Sequence, residues 1–439
     1  MVASENQIGS LLKPFQRFGV NLGLERIEKL LEDLGNPQDK VPIIHVAGTN
    51  GKGSVCAYLS SILTESGYRV GRYTSPHLVD WTERIYLNEQ PIASEDLILL
   101  LQDIQKAIAS DGESPTQFEV ITAAAWLYFA QSQVDIAIVE VGLGGRLDAT
   151  NVTDTSLVSI ITSLSREHWQ RLGPTIADIA REKAGVLKAN CPAVVGQLPS
   201  DAKKVVATRA QELNCPVTWV KPAKAIQIPQ ARDANWAKYE NLEYPLPLLG
   251  EVQLSNSALA IAAIKILQQQ GWKIPELAIQ TGMNKTKWLG RLQWSVWQDR
   301  PILIDGAHNP AAAIALRKYV DTLDKSVVWV MGMLSTKDHE DIFEVLLKPG
   351  DDLHLVPVPD HSSAEPKTLA AIAQQVCPNL SSCETQENVF HALDTAVTKA
   401  KDSKTEKLVV LCGSLYLIGY LFQNLAANSN SSTLASVSY

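Results

Sequence analysis

The chain is expected to fold as an α/β protein, with an N-terminal P-loop parallel-sheet ATPase domain and a smaller C-terminal Rossmann-like α/β domain. Three observations lead there. A glycine-rich turn, residues 45–54 (His-Val-Ala-Gly-Thr-Asn-Gly-Lys-Gly-Ser), lies between the apolar run Val41-Pro42-Ile43-Ile44 and a helix-compatible stretch, Val55–Leu63. Apolar runs of strand length alternate with helical stretches, as in a parallel sheet covered on both faces. That alternation restarts after residue 300 in a chain of 439 residues, which is long for one core. The expected division is 1–296 and 297–425, followed by a Ser/Asn-rich, disordered tail, 426–439.

Near the start, Ile27, Leu30, Leu31 and Leu34 recur at i, i+3, i+4, i+7, the stripe of an amphipathic helix. The strand into the glycine turn follows, then helical stretches at Asp96–Ile108 and Ile121–Gln131. Strand-length runs come at Val134–Val141, ending in Gly142-Leu143-Gly144-Gly145, and at Ser156–Thr162. Residues 221–250 are richer in proline and polar residues and show weak periodicity, and a helix is expected over Ser257–Gln270. After Trp294–Arg300 the alternation resumes with strand Pro301–Ile304 and helix Ala311–Leu323, then strand Ser326–Met331 and helix His339–Leu347. It continues through Asp352–Val358, Lys367–Val376, Glu387–Lys401, Lys407–Cys412 and a last helix from Leu415.

Apolar residues make up 46 % and charged residues 20 %, the balance of a globular protein. Asp and Glu outnumber Lys and Arg by 47 to 39, and a net charge of −8 argues against nucleic acid or an anionic membrane as partner. The six cysteines are scattered without a C-x-x-C pair, which suits a reducing compartment. Met1–Ser10 is polar and lacks the apolar core of a signal peptide, and no apolar run reaches the ~18 residues of a membrane span. A cytoplasmic protein is expected.

The glycine turn carries the clearest chemistry. A strand, a tight turn and a helix start aim several backbone N–H groups at one spot, and the helix dipole adds to that field. Gly48, Gly51 and Gly53 allow the backbone close to a polyphosphate, Lys52 can reach its β- and γ-phosphates, and Ser54 stands where a P-loop hydroxyl meets Mg²⁺. The turn departs from G-x-x-x-x-G-K-[ST] by the extra glycine between Lys52 and Ser54. Glu140, at a strand end, holds Mg²⁺, or is a surface carboxylate near a turn, or faces a buried side. His168, after the third strand run, is either a loop residue or a ligand. Lys183 falls on the apolar stripe Ile176, Ile179, Ala180, so it either snorkels to the surface or serves as a phosphate contact or a modified, metal-binding lysine. Asp305-Gly306-Ala307-His308-Asn309-Pro310 suits a ligand at a strand end and equally an N-cap and turn; Gly413-Ser414 shares the ambiguity.

Taken together these segments resemble the folylpolyglutamate synthase and dihydrofolate synthase family of Mur-ligase-like ATP-dependent amide ligases. The matching motifs run from Leu22-Gly23-Leu24-Glu25-Arg26 through Ala47–Ser54, Thr74-Ser75-Pro76-His77-Leu78, Thr116-Gln117-Phe118-Glu119, Glu140–Asn151 and Glu182-Lys183-Ala184-Gly185. Gly290-Arg291, Asp305–Pro310 and Gly413–Tyr416 complete them. The resemblance implies that ATP phosphorylates a carboxylate of dihydropteroate or of a tetrahydrofolate glutamate tail, and that the amino group of L-glutamate attacks the acyl phosphate. It implies nucleotide contacts from Gly48, Thr49, Asn50, Gly51, Lys52, Gly53, Ser54, Asn256, Arg291, Asp305 and His308. It implies one or two Mg²⁺ ions held by Ser75, Glu140, His168 and a carbamylated Lys183, with Ser54 as auxiliary. Lys52, Glu140, His168 and Lys183 are thereby the expected catalytic set. The pterin-bearing acceptor would meet Asn21, Leu22 and Gly23, then Thr116, Gln117, Phe118 and Glu119, then Leu147, Asp148 and Ala149. A monomer that closes its two domains around the substrates is expected. Two positions depart from the family: Ser165-Arg166-Glu167-His168 replaces Gly-x-Asp-His, and Val252-Gln253 replaces His-Gln.

Overall fold

The computed structural model describes residues 2–16, 21–108, 113–228, 235–402 and 406–427. The chain divides into two compact units, Met1–Pro247 with Gln253–Lys287, and Leu248–Val252 with Trp288–Tyr439. The division at Lys287 lies ahead of the expected 296 because Gln293–Trp297, taken from sequence as connecting chain, is a strand of the second sheet. Of the expected disordered tail, Ala426 and Ala427 end the helix Leu415–Ala427, and 428–439 lie outside the described residues.

In the first unit, β1 (Ile43–Ala47), β2 (Val70–Tyr73), β3 (Ile85–Leu87), β4 (Gln90–Pro91), β5 (Ile136–Glu140), β6 (Val158–Ile161), β7 (Ala193–Val195) and β8 (Val217–Trp219) form one sheet. Its order is β4-β3-β2-β5-β1-β6-β7-β8. All pairs from β2 to β8 are parallel, and the β3 and β4 hairpin adds an antiparallel edge. The first strand is thus central: Val46 lies beside Glu140 of β5 and Ala47 beside Ile161 of β6. Loops leaving β1, β5 and β6 therefore open side by side at the carboxyl edge, where a parallel sheet collects ligands.

Every residue of β1, β5 and β6 is buried, because both faces are covered. On one side Ile8, Leu12, Leu97, Leu101, Val120 and Trp126 form a core with Ile43 and Val139. On the other, Ala180, Ala184, Val206 and Ala210 pack with Ile161 and Val195. Residues Ser54 to Leu63 of the helix Lys52–Glu65 are all buried. Gly282 of the helix Glu276–Lys285 makes that approach possible, since a Cβ there would come within 2.5 Å of Ile62 Cα. The glycine loop thus leads into a helix held on all sides.

Residues 221–250, weakly patterned in sequence, contain an antiparallel sheet of β9 (Lys224–Ile226), β10 (Trp236–Tyr239) and β11 (Leu242–Pro245). Glu240 takes a positive φ of 51° in the two-residue turn between β10 and β11. The helix expected from Ser257 begins at Val252, since Gln253 and Asn256, polar and turn-like in sequence, face the buried side.

The second unit repeats the parallel plan. Its strands β12 (Gln293–Trp297), β13 (Arg300–Ile304), β14 (Ser326–Met331), β15 (Asp352–Leu355), β16 (Ser382–Thr385) and β17 (Lys407–Cys412) run in the order β12-β13-β17-β14-β15-β16. Only β12 is antiparallel to its neighbour. Trp329, Phe343, Leu353 and Val410 form its core with the helices Pro310–Asp321, His339–Leu346 and Pro366–Val376. The edge strand β16, Ser-Cys-Glu-Thr, has no apolar run to announce it.

Candidate active site

The glycine loop is fastened to the end of β6. Thr49 N donates to Ser163 O at 2.7 Å, Asn50 N to Ser163 Oγ at 3.1 Å, and Thr162 Oγ1 to Asn50 O at 2.7 Å. Ser165 N donates to Thr49 Oγ1 at 3.1 Å. Gly48 has φ of 146°, and a Cβ there would lie 1.9 Å from Thr162 Oγ1; Gly51, with φ of 87°, begins the helix without a side-chain cap. The N–H groups of the first turn are left for an anion.

Two lysines converge on this loop. Lys52 Nζ donates to Gly48 O and Thr49 O, both at 3.2 Å, and stands 3.9 Å from Glu140 Oε1. Lys183 Nζ donates to the same Gly48 O at 2.7 Å. Lys183 is buried on the helix Ile176–Ala184, so the surface-snorkelling alternative is ruled out. Burial first, then the charge of Lys52, lowers its pKa to about 7, against the opposing pull of Glu167 and Asp148. Ser54 is drawn toward the helix Val252–Gln269: Gln253 Nε2 donates to Ser54 Oγ at 3.4 Å, while Asn256 Nδ2 and Tyr58 Oη donate to Gln253 Oε1 at 3.1 and 3.2 Å.

Glu140 is buried, and its Oε2 accepts from Ser75 N at 3.3 Å. His168 takes a left-handed φ of 52° at the start of the short helix Trp169–Leu172, with its ring about half exposed and Nε2 4.0 Å from Glu167 Oε1. Among the described residues no group of three or more His, Cys, Asp or Glu side chains could hold a metal. The donors at hand, the Glu140 carboxylate with the Ser75 and Ser54 hydroxyls, are hard oxygens. They fit Mg²⁺ shared with phosphate oxygens and water rather than a closed protein cage.

Among the residues expected to meet the acceptor, Thr116 and Glu119 form a capping box at the helix Gln117–Gln131, with Glu119 N donating to Thr116 Oγ1 at 3.2 Å and Thr116 N to Glu119 Oε2 at 2.6 Å. Glu119 also binds Arg26, whose Nη2 is 3.0 Å from Oε1 and donates to Asn21 O at 2.8 Å. Arg26 thereby ties Asn21, Leu22 and Gly23 to Thr116–Glu119. Phe118 rests against Gly142, where a Cβ would lie 2.4 Å from the ring. Leu147 is half-buried, whereas Asp148 and Ala149 are buried. Asp148 Oδ2 accepts from Leu143 N at 2.7 Å, and Oδ1 from Thr150 N at 3.0 Å and Thr150 Oγ1 at 2.6 Å.

In the second unit, Asp305 closes the turn after β13. Its Oδ2 accepts from Leu292 N and its Oδ1 from Ala307 N, both at 2.8 Å. Burial raises its pKa while Arg291 and the two amides oppose. Gly306 leaves room for Arg291, whose Nη1 would be 2.5 Å from a Cβ there, and His308 Nδ1 lies 2.7 Å from Gly306 O. Asn309 caps the helix Pro310–Asp321, accepting from Ala312 N at 2.9 Å. Asn256 belongs to the first unit; Arg291, Asp305 and His308 come together in the second.

Comparison with known proteins now places the chain. Residues 46–264 match the Mur ligase middle domain, and residues 291–424 match the dihydrofolate synthetase C-terminal domain. A dihydrofolate synthetase of Saccharomyces cerevisiae is 33 % identical over 426 residues, 92 % of this chain and 98 % of that one. The chain belongs to the folylpolyglutamate synthase/dihydrofolate synthase family. It is an ATP-dependent acid–amino-acid ligase. The dihydrofolate synthase/folylpolyglutamate synthase of Escherichia coli is 35 % identical over 425 residues, 93 % of this chain and 92 % of that one. A solved Mycobacterium tuberculosis folylpolyglutamate synthase, complexed with ADP and AMPPCP, superposes with a TM-score of 0.84 at 30 % identity, covering 96 % of this chain and 98 % of that one. An E. coli FolC in complex with DHPP and ADP gives 0.81 at 31 % identity, covering 97 % and 98 %.

For this family member, sequence reasoning quoted Arg26, Ser165 and Gln253 within motifs but missed that they hold other residues in place. Thr162, Ser163 and Ser165 brace the glycine loop, Gln253 orients Ser54, and Arg26 joins Asn21 to Glu119. Their signal is weak, because each is a common polar residue whose partner is distant in the chain. Gln253 lies 199 positions from Ser54 and Arg26 93 from Glu119.

Proposed function

We propose that this ligase binds ATP on the Gly48–Ser54 loop and transfers its γ-phosphoryl group to the carboxylate of dihydropteroate, of a tetrahydrofolate glutamate tail, or of both. A carboxylate oxygen attacks the γ-phosphorus, ADP leaves, and the amino group of L-glutamate displaces phosphate from the acyl carbon, releasing a proton. The work asked of the protein is positioning and charge neutralisation. Lys52 would exchange its contacts with the Gly48 and Thr49 carbonyls for phosphate oxygens. The observation that most favours this is the convergence of Lys52, Lys183 and Glu140 on one glycine loop, beside the Gly142–Ala149 segment against which Phe118 packs.

Glu140, Ser75, His168 and Lys183, with Ser54, are the residues we assign to Mg²⁺, at one site or two; the ion would neutralise charge on the transferred phosphoryl group. A lysine whose pKa is about 7 keeps much of its amine free for reaction with CO₂, which supports carbamylation of Lys183 into a carboxylate-like ligand. Asn256, Arg291, Asp305 and His308 are the further residues we assign to the nucleotide. Asn21–Gly23, Thr116–Glu119 and Leu147–Ala149 would line the acceptor's path. We further read the chain as a cytoplasmic monomer of two domains, the second beginning ahead of the strand Gln293–Trp297. Among the described residues no helix is long and apolar enough to cross a membrane.

The test is ADP release by the purified protein with Mg-ATP and L-glutamate, with dihydropteroate or tetrahydrofolate as acceptor. Turnover with both makes it bifunctional, and turnover with one names its role. Glutamate-independent ATP hydrolysis alone would overturn the assignment.

A further inference from the structure

His45 stands in the middle of β1, fully buried, with Ile43, Ile44, Val46 and Ala47 around it in the strand. An apolar residue would serve the packing of that strand equally well, and a buried imidazole is costly unless it is hydrogen-bonded. The ring makes one such contact: Nε2 lies 2.9 Å from Thr150 Oγ1, 105 positions along the chain. Thr150 is itself fully buried, and beyond it is Asp148, 2 % exposed.

The direction of each proton in this row follows from the partners. Asp148 takes the Leu143 N–H, the Thr150 N–H and the Thr150 hydroxyl, so every contact it makes is with a donor, as a carboxylate requires. The Thr150 hydroxyl has one proton, and at 2.6 Å that proton belongs to Asp148 Oδ1. Thr150 Oγ1 can therefore only accept from His45, which must carry its hydrogen on Nε2. Nδ1 is then a bare lone pair, and Nδ1 is the ring nitrogen left without a hydrogen-bond partner. An unpaired lone pair on a neutral ring is the less costly way to arrange this, because an N–H buried without an acceptor forfeits its solvation. Burial, reinforced by Lys188, holds the ring in its neutral form, with a pKa lowered to about 3.

We propose that His45 is a positioning residue for the acceptor: its Nε2–H, acting through the Thr150 hydroxyl and the Asp148 carboxylate, fixes the Gly142–Ala149 loop to the central strand of the sheet. The far end of the row is the Leu143 amide, next to Gly142, on which Phe118 rests. A displacement at Thr150 is thereby carried to the surface assigned to the pterin-bearing substrate. The P-loop grows from the same strand, two residues beyond Val46, but it is braced separately through Thr162, Ser163 and Ser165. Acceptor and nucleotide should respond differently to loss of His45. The identity of the ligand on this loop rests on the function proposed above.

The experiment compares His45→Leu, His45→Gln and Thr150→Val in the full chain, after wild-type turnover with its acceptor is established. His45→Leu and Thr150→Val should each raise the acceptor KM by roughly tenfold to a hundredfold, the cost of a small misplacement, with the ATP KM unchanged. His45→Gln should recover most of the loss, since its carboxamide N–H can reach the same hydroxyl. The double variant His45→Leu/Thr150→Val should be no worse than either single one. Equal behaviour of the Leu and Gln variants, or a fall in kcat for both substrates with no change in acceptor KM, would reduce His45 to a packing residue and overturn the proposal. A separate readout needs no substrate: ¹⁵N NMR of histidine-labelled protein should show, beside the Nε2–H ring of His339 that faces Leu334 O, a further Nε2–H ring at neutral pH that is lost in His45→Gln. An Nδ1–H tautomer for His45 would refute the hydrogen-bond row even if every kinetic result stood. Absence of wild-type turnover with either acceptor would instead strike the proposed function and leave the tautomer prediction to be judged by itself.

Discussion

The two parallel sheets end differently at their carboxyl edges. In the first unit the loop after β1 receives two ammonium groups on a single carbonyl, that of Gly48, with Glu140 nearby. In the second unit the turn after β13 closes on itself: the Asp305 carboxylate meets two backbone amides, and Asn309 caps the helix that follows. One edge holds like charges together under burial, at a cost to stability; the other matches each charge with a donor. Perturbed charge of the first kind is what a phosphoryl-transfer site needs, because an incoming polyphosphate relieves it. The same architecture can thus supply a reactive edge or a self-satisfied one, and the choice rests on a few side chains.

The largest effect should come from Lys183. Lys183→Ala should lower turnover by about a hundredfold or more while circular dichroism shows the fold retained; full activity would remove Lys183 from the mechanism. Its pH behaviour sharpens the contrast. The folded-state pKa is depressed from the ordinary lysine value to about 7, so the unfolded chain binds the proton that the folded chain releases. Stability should rise as pH increases from 7 toward 10, and the penalty is complete below 7. Lys183→Met should therefore raise the melting temperature more at pH 6 than at pH 9, and an equal change at both would show the lysine is not strained.

Next is Gly48→Ala, which places a Cβ 1.9 Å from Thr162 Oγ1 at a φ of 146°. Backbone strain of about 1–3 kcal/mol should appear as weaker ATP binding by calorimetry, about fivefold or more. Asp305→Ala leaves the Leu292 and Ala307 amides unpaired and should cost about 1–3 kcal/mol in denaturant unfolding. Because Asp305 is also assigned to the nucleotide, turnover should fall too, but by less than in Lys183→Ala; an equal loss would erase the distinction between the edges. The smallest effect should be Asn309→Ala, about 1 kcal/mol of stability from a lost cap, with turnover kept.

What was legible in the sequence follows the same physics. The strand, glycine turn and helix around Lys52 announce themselves, because each local preference points to one structure. Lys183 stood out as a charge on an apolar stripe, and its burial removed one of its readings. The hairpins of β9 to β11 and the edge strand β16 were hidden, since short, half-exposed strands need no apolar run. Thr116 and Glu119 matched the family's acceptor motif, but their role as a capping box depends on which atoms meet. His45 could not be weighed at all: its meaning depends on Thr150, which the fold alone brings to it.

Gly51 leaves a further consequence. A Cβ at this position would come 2.4 Å from Asn256 Oδ1, a side chain held in turn by Gln253 and, through it, by Tyr58 and Ser54. The tip of the loop and a helix some two hundred residues away therefore share one small volume. Position 51 cannot gain a side chain unless position 256 gives one up, and 256 cannot give one up without loosening Gln253. Under mutational drift the three positions form a linked set, and the φ of 87° at Gly51 penalises a side chain there even where 256 is shortened, so chimaeras that exchange the loop without this helix should fold less well than those that carry both.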